Sequence, residues 1–163
     1  MPATFSFDDR WRFPVARSEL WQTLQRTDRY QEWWDWLREF DGAPLQPGER
    51  ADAVIDPPLP YSLSVRITLV DVVPERTIEA AVTGDLDGSA TLELHDGPAH
   101  SADTCCDARL VWHLSLRHRL VGPTAWMLRP VLEWGHRWVI NTGMRQFRTN
   151  ALPDTEPPAG DDS

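Results

Sequence analysis

A block of alternating apolar and polar residues between two Trp-rich helical segments most constrains the fold of this 163-residue chain. The first segment carries Trp21, Trp33, Trp34 and Trp36, and the last, from about Leu128 to Phe147, carries Trp134 and Trp138. About seventy residues between them alternate with the period of two that is typical of β-strands. One twisted antiparallel sheet cannot cover both ends of a long helix tightly. This order therefore predicts an apolar space between sheet and helix.

The alternating block predicts an antiparallel sheet of about seven strands. Its clearest strand covers residues 61–73, and the others cover residues 4–13, 37–42, 50–55, 77–83, 89–94 and 104–116. Asp8 and Asp9 interrupt the alternation of the first strand. Short helices are predicted over residues 16–26 and around Trp33. Strands that are apolar on one side and polar on the other belong to an antiparallel sheet with one side in water. The sequence therefore predicts an α+β fold.

The charge of the chain argues against two classes of partner. The formal net charge is −9, all sixteen basic residues are Arg, and they form no run. Nucleic acids and anionic membranes both reward clustered positive charge, so we expect neither as a partner. No apolar stretch approaches the ~18 residues of a membrane span. The first twelve residues lack the apolar region of a signal peptide, so we expect a cytoplasmic protein.

The cysteine and histidine residues predict neither a disulfide nor a cofactor site. Cys105 and Cys106 are adjacent, so on a strand they point to opposite faces and cannot form an unstrained bridge. The five His are scattered without the spacing of metal ligands. No phosphate loop, dinucleotide fingerprint or nucleophile elbow is present. We therefore expect no metal and no cofactor.

The length of the chain and the composition of its end predict one domain with a tail. A chain of this size can bury a single sizeable core, which we place over residues 1–152. Residues 153–163 are Pro, acidic and small residues, which is typical of a disordered segment.

Several side chains that could move a proton have a simpler structural interpretation. His113 lies on the polar face of its strand, so we expect it at the surface, and Arg66 should form cross-strand ion pairs on such a face. His136 lies beside the apolar stripe of the last helix, where packing is favoured over base catalysis. Asp85 and Asp87 lie in a hairpin turn and are expected to stabilise that turn. The catalytic residues therefore remain unknown.

The residues expected to line the apolar space lie on apolar strand faces or on the last helix. They are Tyr61, Leu63, Val65, Leu92, Trp112, Trp134, Trp138 and Asn141. Tyr61 and Asn141 would supply the few polar groups that orient an apolar ligand. For the large side chains, plain packing in the core is the alternative interpretation.

The order of elements is that of the helix-grip fold: a strand, two short helices, six strands and a long helix that encloses a cavity. Three parts of the sequence resemble the polyketide cyclase/dehydrase-like branch of the START superfamily, also called SRPBCC proteins. They are residues 15–21 with 28–34, residues 74–79 with 84–88, and residues 136–140 with Gly143.

This resemblance implies a deep cavity between a curved sheet and the last helix that accepts hydrophobic or aromatic molecules. Some members of the group cyclise or aromatise polyketides, whereas others bind, carry or sense lipids, and no single catalytic motif unites them. We therefore predict binding of a small hydrophobic molecule, aromatic or polyketide-like, with cyclisation or dehydration as the reaction if the protein is an enzyme. The alternatives are a non-catalytic lipid or isoprenoid carrier or sensor, and an interaction module with a collapsed core. Monomer and homodimer both remain open.

Overall fold

A computed structural model describes residues 3–42, 44–56, 62–97, 105–116 and 125–151. Seven strands and three helices, with one 3-10 turn, make up this part of the chain. They are β1 (Ala3–Phe13), α1 (Arg17–Leu24), the 3-10 turn (Thr27–Arg29), α2 (Tyr30–Trp33), β2 (Leu37–Phe40), β3 (Arg50–Ile55), β4 (Leu63–Val73), β5 (Thr77–Gly84), β6 (Leu86–Asp96), β7 (Cys106–Leu116) and α3 (Ala125–Asn150).

The strands form one curled antiparallel sheet in the order β1-β7-β6-β5-β4-β3-β2. Each strand from β2 to β7 pairs with its neighbour in sequence, and β1 joins the sheet beside β7. The helices pack on the inner side of the curl, which we call the concave face, and the other side is the outer face. The predicted helix-grip fold is thus confirmed.

The first strand runs without a break. β1 and β7 pair over their whole length, from Ala3 opposite Leu116 to Phe13 opposite Cys106. The strand predicted over residues 4–13 is thus observed, and Asp8 and Asp9 both keep their places in the ladder, with Asp9 on the face of Phe7 and Trp11. In β4 a bulge between Leu69 and Asp71 changes the alternation.

The buried apolar residues form two clusters on the concave face. The first cluster contains Phe13, Val15, Leu20, Trp21, Trp33, Leu94, Cys106, Ala108 and Phe147. The second cluster contains Leu37, Ala53, Val65, Val82 and Leu114. Helices α1 and α2 contribute to the first cluster, whereas the second is built from β2 to β5 and β7. The core is therefore divided into two packed regions.

Helix α3 is fastened near its end by aromatic contacts. The ring of Phe147 lies 5.6 Å from that of Phe13, 5.8 Å from that of Trp33 and 6.0 Å from that of Trp34. Trp34 Nε1 also donates a 2.8 Å hydrogen bond to the carbonyl oxygen of Gly143. A Cβ at Gly143 would lie 3.2 Å from the ring of Trp36. Gly143 thus lets α3 approach two tryptophans beside α2 closely.

Cross-strand ion pairs cover the outer face. Arg66 pairs with Asp52, Arg12 with Asp107, and Arg109 with Asp8, each with a shortest distance of 2.6–2.7 Å. The prediction for Arg66 is confirmed. His113 is also exposed as predicted, and its Nδ1 lies 3.0 Å from the hydroxyl of Ser6.

Candidate functional site

Two rows of side chains cross the concave face between the two packed clusters, and we call them together the central band. The first row contains Ile78, Leu92, Leu110 and Asp9, and the second contains Leu69, Ala80, Ala90, Trp112 and Phe7. Every member except Ala80, which is 9% exposed, remains half-buried. An apolar surface thus lies between two regions that are fully packed.

Two alanines lie at the middle of the central band. Ala80 of β5 lies directly opposite Ala90 of β6, and Ala90 lies opposite Trp112 of β7. A methyl group fills little space above a sheet, whereas the side chains that flank the pair are large. The side chains at the centre of the concave face are therefore the shortest of the central band, and the indole ring of Trp112 lies beside them.

Four of the predicted lining residues share the concave face. Leu92 and Trp112 lie in the central band, and Leu63 is half-buried opposite Ile55 of β3. Val65 is only 5% exposed and belongs to the second packed cluster. Val65 therefore contributes to the core, and the other three remain candidates for lining.

Two of the three predicted lining residues of α3, Trp134 and Asn141, lie on its exposed side. Trp134 is 54% exposed and Asn141 is also exposed, whereas Trp138 is half-buried. At about 100° per residue, Trp134 and Asn141 stand roughly 120–140° round the helix from the buried Phe147. The buried Gly135 and Thr142 lie at similar angles on the other side of Phe147, so the packed arc of α3 runs from Phe147 to these two residues, and Trp134 and Asn141 lie outside it.

Two predicted positions cannot be placed. Tyr61 lies outside the described residues, and so does the side chain of His136. Neither enters the site that follows from the described part of the chain.

Sequence reasoning named two of the nine members of the central band, Leu92 and Trp112, and missed the other seven, of which Asp9 and Ala90 are the most informative. The spacing of Asp9 from Phe7 and Trp11 would have placed it on the apolar face of β1, but we took the acidic pair for an interruption. Ala90 was correctly placed on the apolar face of its strand, but a small side chain gave no sign of a role. Its importance comes from its position opposite Ala80, which only the strand register reveals.

Three polar groups near the core have structural roles. The hydroxyl of Tyr30 donates a hydrogen bond to the carbonyl oxygen of Leu24, and burial raises the pKa of Tyr30. Burial likewise raises the pKa of the Cys106 thiol to about 11. The Asp85 carboxylate accepts a 2.8 Å hydrogen bond from the backbone N–H of Ser64, which ties the connection between β5 and β6 to the start of β4. Neither Tyr30 nor Cys106 is suited to exchange protons near neutral pH.

Other kinds of site have little support in the described part of the chain. Within the described ranges no three His, Cys, Asp or Glu residues are close enough to hold a metal ion. A groove of about 720 Å³ runs along β2 to β5, but it is open, and Asp52 and Arg66 in its wall already pair with each other. None of the helices in the described part of the chain is long and apolar enough to cross a bilayer.

Comparisons with known proteins identify the fold and no closer relative. The chain matches no protein-family model and no curated protein. It is similar to the solved structure of the di-domain ARO/CYC BexL from the BE-7585A biosynthetic pathway, with a TM-score of 0.66 and 13% identity over 93% of this chain and 51% of that one. It is also similar to the di-domain ARO/CYC StfQ from the steffimycin pathway, with a TM-score of 0.60, 15% identity and coverages of 91% and 50%.

A third similar structure is a truncated norcoclaurine synthase from Thalictrum flavum, with a TM-score of 0.60, 9% identity and coverages of 94% and 96%. This chain thus spans about half of each di-domain protein and nearly all of the synthase. The predicted resemblance to polyketide cyclase-like helix-grip proteins is confirmed. At these identities the likeness shows the fold alone.

Proposed function

We propose that this protein binds a small hydrophobic molecule, aromatic or polyketide-like, between the central band and α3. The observation that carries the proposal is the half-buried state of the band, which lies between two packed clusters. Apolar side chains on the inner face of a single domain are normally packed against something. A bound ligand would cover the apolar side chains of the central band.

The expected affinity follows from the area that such a guest would bury. About 300 Å² of apolar ligand surface contributes roughly 7 kcal/mol before costs, at ~25 cal/mol per Å². Loss of ligand freedom and ordering of side chains reduce this figure. Binding in the micromolar range therefore needs no catalytic group. From the lining residues predicted by the sequence, we propose four: Leu63, Leu92, Trp112 and the half-buried Trp138.

Filling the centre of the band tests whether the space exists. In Ala90→Leu the larger side chain occupies the space above Ala80 and should weaken binding of a hydrophobic fluorescent probe such as N-phenyl-1-naphthylamine about tenfold or more. The melting temperature should stay close to that of the wild type, because a hollow accepts the extra methylenes. Ser89→Leu is the matched control, since Ser89 is the exposed neighbour on the outer face of the same strand.

A collapsed core gives the opposite pattern for Ala90→Leu. Overpacking would then destabilise the protein by about 1–3 kcal/mol, and the wild type would bind no probe. That result would favour the interaction module over a ligand-binding protein. Native mass spectrometry of the purified protein complements this test, because a co-purified hydrophobic compound would identify the ligand.

Cyclisation or dehydration of the bound molecule is a second candidate function. Its support is that BexL and StfQ are described as ARO/CYC proteins of biosynthetic pathways. The cavity would fold the substrate into a reactive shape, and a positioned side chain would move a proton. A non-catalytic lipid or isoprenoid carrier would bind its ligand and return it unchanged, so recovery of the ligand after incubation distinguishes the two.

The remaining expectations stay predictions. They are a single domain over residues 1–152, a disordered tail over 153–163, a cytoplasmic location, and a monomer or homodimer that binds neither nucleic acid nor cofactor.

A further inference from the structure

Asp9 is an acidic residue among apolar neighbours on the concave face. In the register of the sheet it lies opposite Leu110, and the aromatic residues Phe7 and Trp11 flank it on the same face of β1. Its side chain is half-buried. Strand interiors disfavour Asp, and a carboxylate that loses part of its hydration costs free energy unless a partner compensates.

The described residues supply no such partner. Asp9 makes no hydrogen bond or ion pair with any part of the chain that the structure describes. Its neighbour Asp8, on the outer face, is held by Arg109 at 2.6 Å. On the concave face of the described strands the other charged residue is Asp96, which lies at the end of β6 and pairs with Arg17 at 3.6 Å.

We propose that Asp9 recognises a protonated amine on an otherwise apolar ligand, an inference that rests on the proposed function. An ammonium group would donate hydrogen bonds to the carboxylate and restore the interactions that it lost with water. The aromatic rings of Phe7, Trp11 and Trp112 border this position, and a cation is attracted to the face of such rings. The net charge of −9 also favours the approach of a cation.

The same arrangement disfavours two other ligand classes. A carboxylate on the ligand would face a like charge in surroundings of low dielectric, where repulsion is strong. A hydroxyl could bond to Asp9, but a hydrogen bond between two charged partners is roughly twice as strong as a neutral one. We therefore expect the order amine, alcohol, carboxylate among ligands with the same apolar body.

Three probes with one ring system test this order. They are 2-(naphthalen-2-yl)ethylamine, the corresponding alcohol and naphthalen-2-ylacetate, measured by isothermal titration calorimetry with the full chain at about pH 7. The wild type should bind the amine about tenfold or more tightly than the alcohol, and the carboxylate most weakly. This comparison needs no variant, so it holds even if a substitution at Asp9 impairs folding.

The variant Asp9→Asn then tests whether the preference for the amine comes from the Asp9 carboxylate. It should weaken binding of the amine about 10- to 100-fold and change binding of the alcohol less than about threefold. Glu79→Gln is the matched control, because Glu79 is exposed on the outer face of β5 and its substitution removes the same charge. This control should leave the affinity for every probe unchanged.

The outcomes separate the two proposals. If the wild type binds none of the probes, the proposed function fails and the inference about Asp9 fails with it. If the probes bind without preference for the amine, or if Asp9→Asn and Glu79→Gln weaken the amine equally, only the role of Asp9 is overturned.

Discussion

Cys105 and Cys106 are adjacent in sequence and have different surroundings. Cys106 is 0% exposed in the first packed cluster, whereas Cys105 is half-buried at the start of β7. The alternation of side chains along a strand accounts for the difference, as the sequence predicted. Neither residue forms a disulfide.

The first prediction concerns the stability that Cys106 provides. Cys106→Ser places a hydroxyl in the packed cluster and should lower the free energy of unfolding by about 1–3 kcal/mol. Cys105→Ser, its neighbour on the other side of the strand, should have a clearly smaller effect. Urea unfolding followed by Trp fluorescence measures both. Equal losses in the two variants would contradict the placement of Cys106 in the core.

The second prediction is an alkaline loss of stability from the same thiol. Burial raises the pKa of Cys106 from the ordinary 9.0 to about 11. The unfolded chain therefore loses this proton at a lower pH than the folded chain does. The contribution of Cys106 is complete below about pH 9 and is lost as the pH rises towards 11. Melting temperatures from about pH 8 to 11 should fall more steeply for the wild type than for Cys106→Ala.

For single residues, the sequence predicted which face of the sheet a side chain occupies better than it predicted whether that side chain is packed or lines the site. Alternation placed His113, Arg66, Leu92 and Trp112 on their observed faces. It could not show which members of the apolar face would be packed, because that depends on what lies above the sheet. Val65 is packed and Leu92 is half-buried for this reason, although their patterns in the sequence are alike.

Among the elements, α3 depends on a small group of aromatic contacts. The ring of Phe147 meets residues of β1 and α2, and Gly143 lets the helix approach Trp34 and Trp36. Polar contacts support the same end of the helix, since the Asn150 side chain donates to the carbonyl oxygen of Trp33 at 2.9 Å.

The third prediction tests this fastening. Phe147→Ala removes a ring that is 3% exposed and should lower the free energy of unfolding by about 3–5 kcal/mol. Trp134→Ala removes a larger, exposed ring from the same helix and should cost far less. Chemical denaturation monitored by circular dichroism gives both values. A greater loss for Trp134→Ala would mean that the helix packs through a different face.

The sequence predicted α3 as an element but not its partners. Spacings of three and four placed Gly143 and Phe147 on one stripe, which the burial of both residues confirms. The stripe did not show that Gly143 would pack against tryptophans beside α2. A helical period identifies the buried side of a helix, whereas the element that covers this side depends on the path of the whole chain.

For the whole molecule, the outer face is held in part by ion pairs between adjacent strands of the sheet, two of them between β1 and β7 at opposite ends of the sequence. The Arg partners lower the pKa of Asp8, Asp52 and Asp107, mainly through hydrogen bonds to their carboxylates. A carboxyl group with a lowered pKa stabilises the fold above its unfolded pKa. This contribution is lost as the pH falls through the lower, folded value.

The fourth prediction follows from this loss of stability as the pH falls. Asp52→Asn should lower the melting temperature slightly at about pH 7, because the pair with Arg66 is exposed and screened. The difference from the wild type should shrink as the pH falls below the ordinary Asp pKa of 3.8, because protonation of Asp52 removes its pair with Arg66. Differential scanning calorimetry over this range checks it. A difference that grows as the pH falls would contradict the assignment.

The order of elements and the resemblance together were enough to predict the fold of the whole molecule. The composition of the concave face was predictable only in part, since its two packed clusters and the band between them depend on register. Ala80 and Ala90 lie in different predicted strands, and only the pairing of those strands places them together.

In the proposed site, Ala80 and Ala90 would set how large a ligand is accepted. Each methylene added at position 80 or 90 would reduce the space left for the ligand without disturbing the ion pairs of the outer face, and burial of one methylene is worth about 0.8 kcal/mol. Selectivity between molecules of neighbouring size could thus evolve in single steps at two sites, while the surrounding architecture stays as it is.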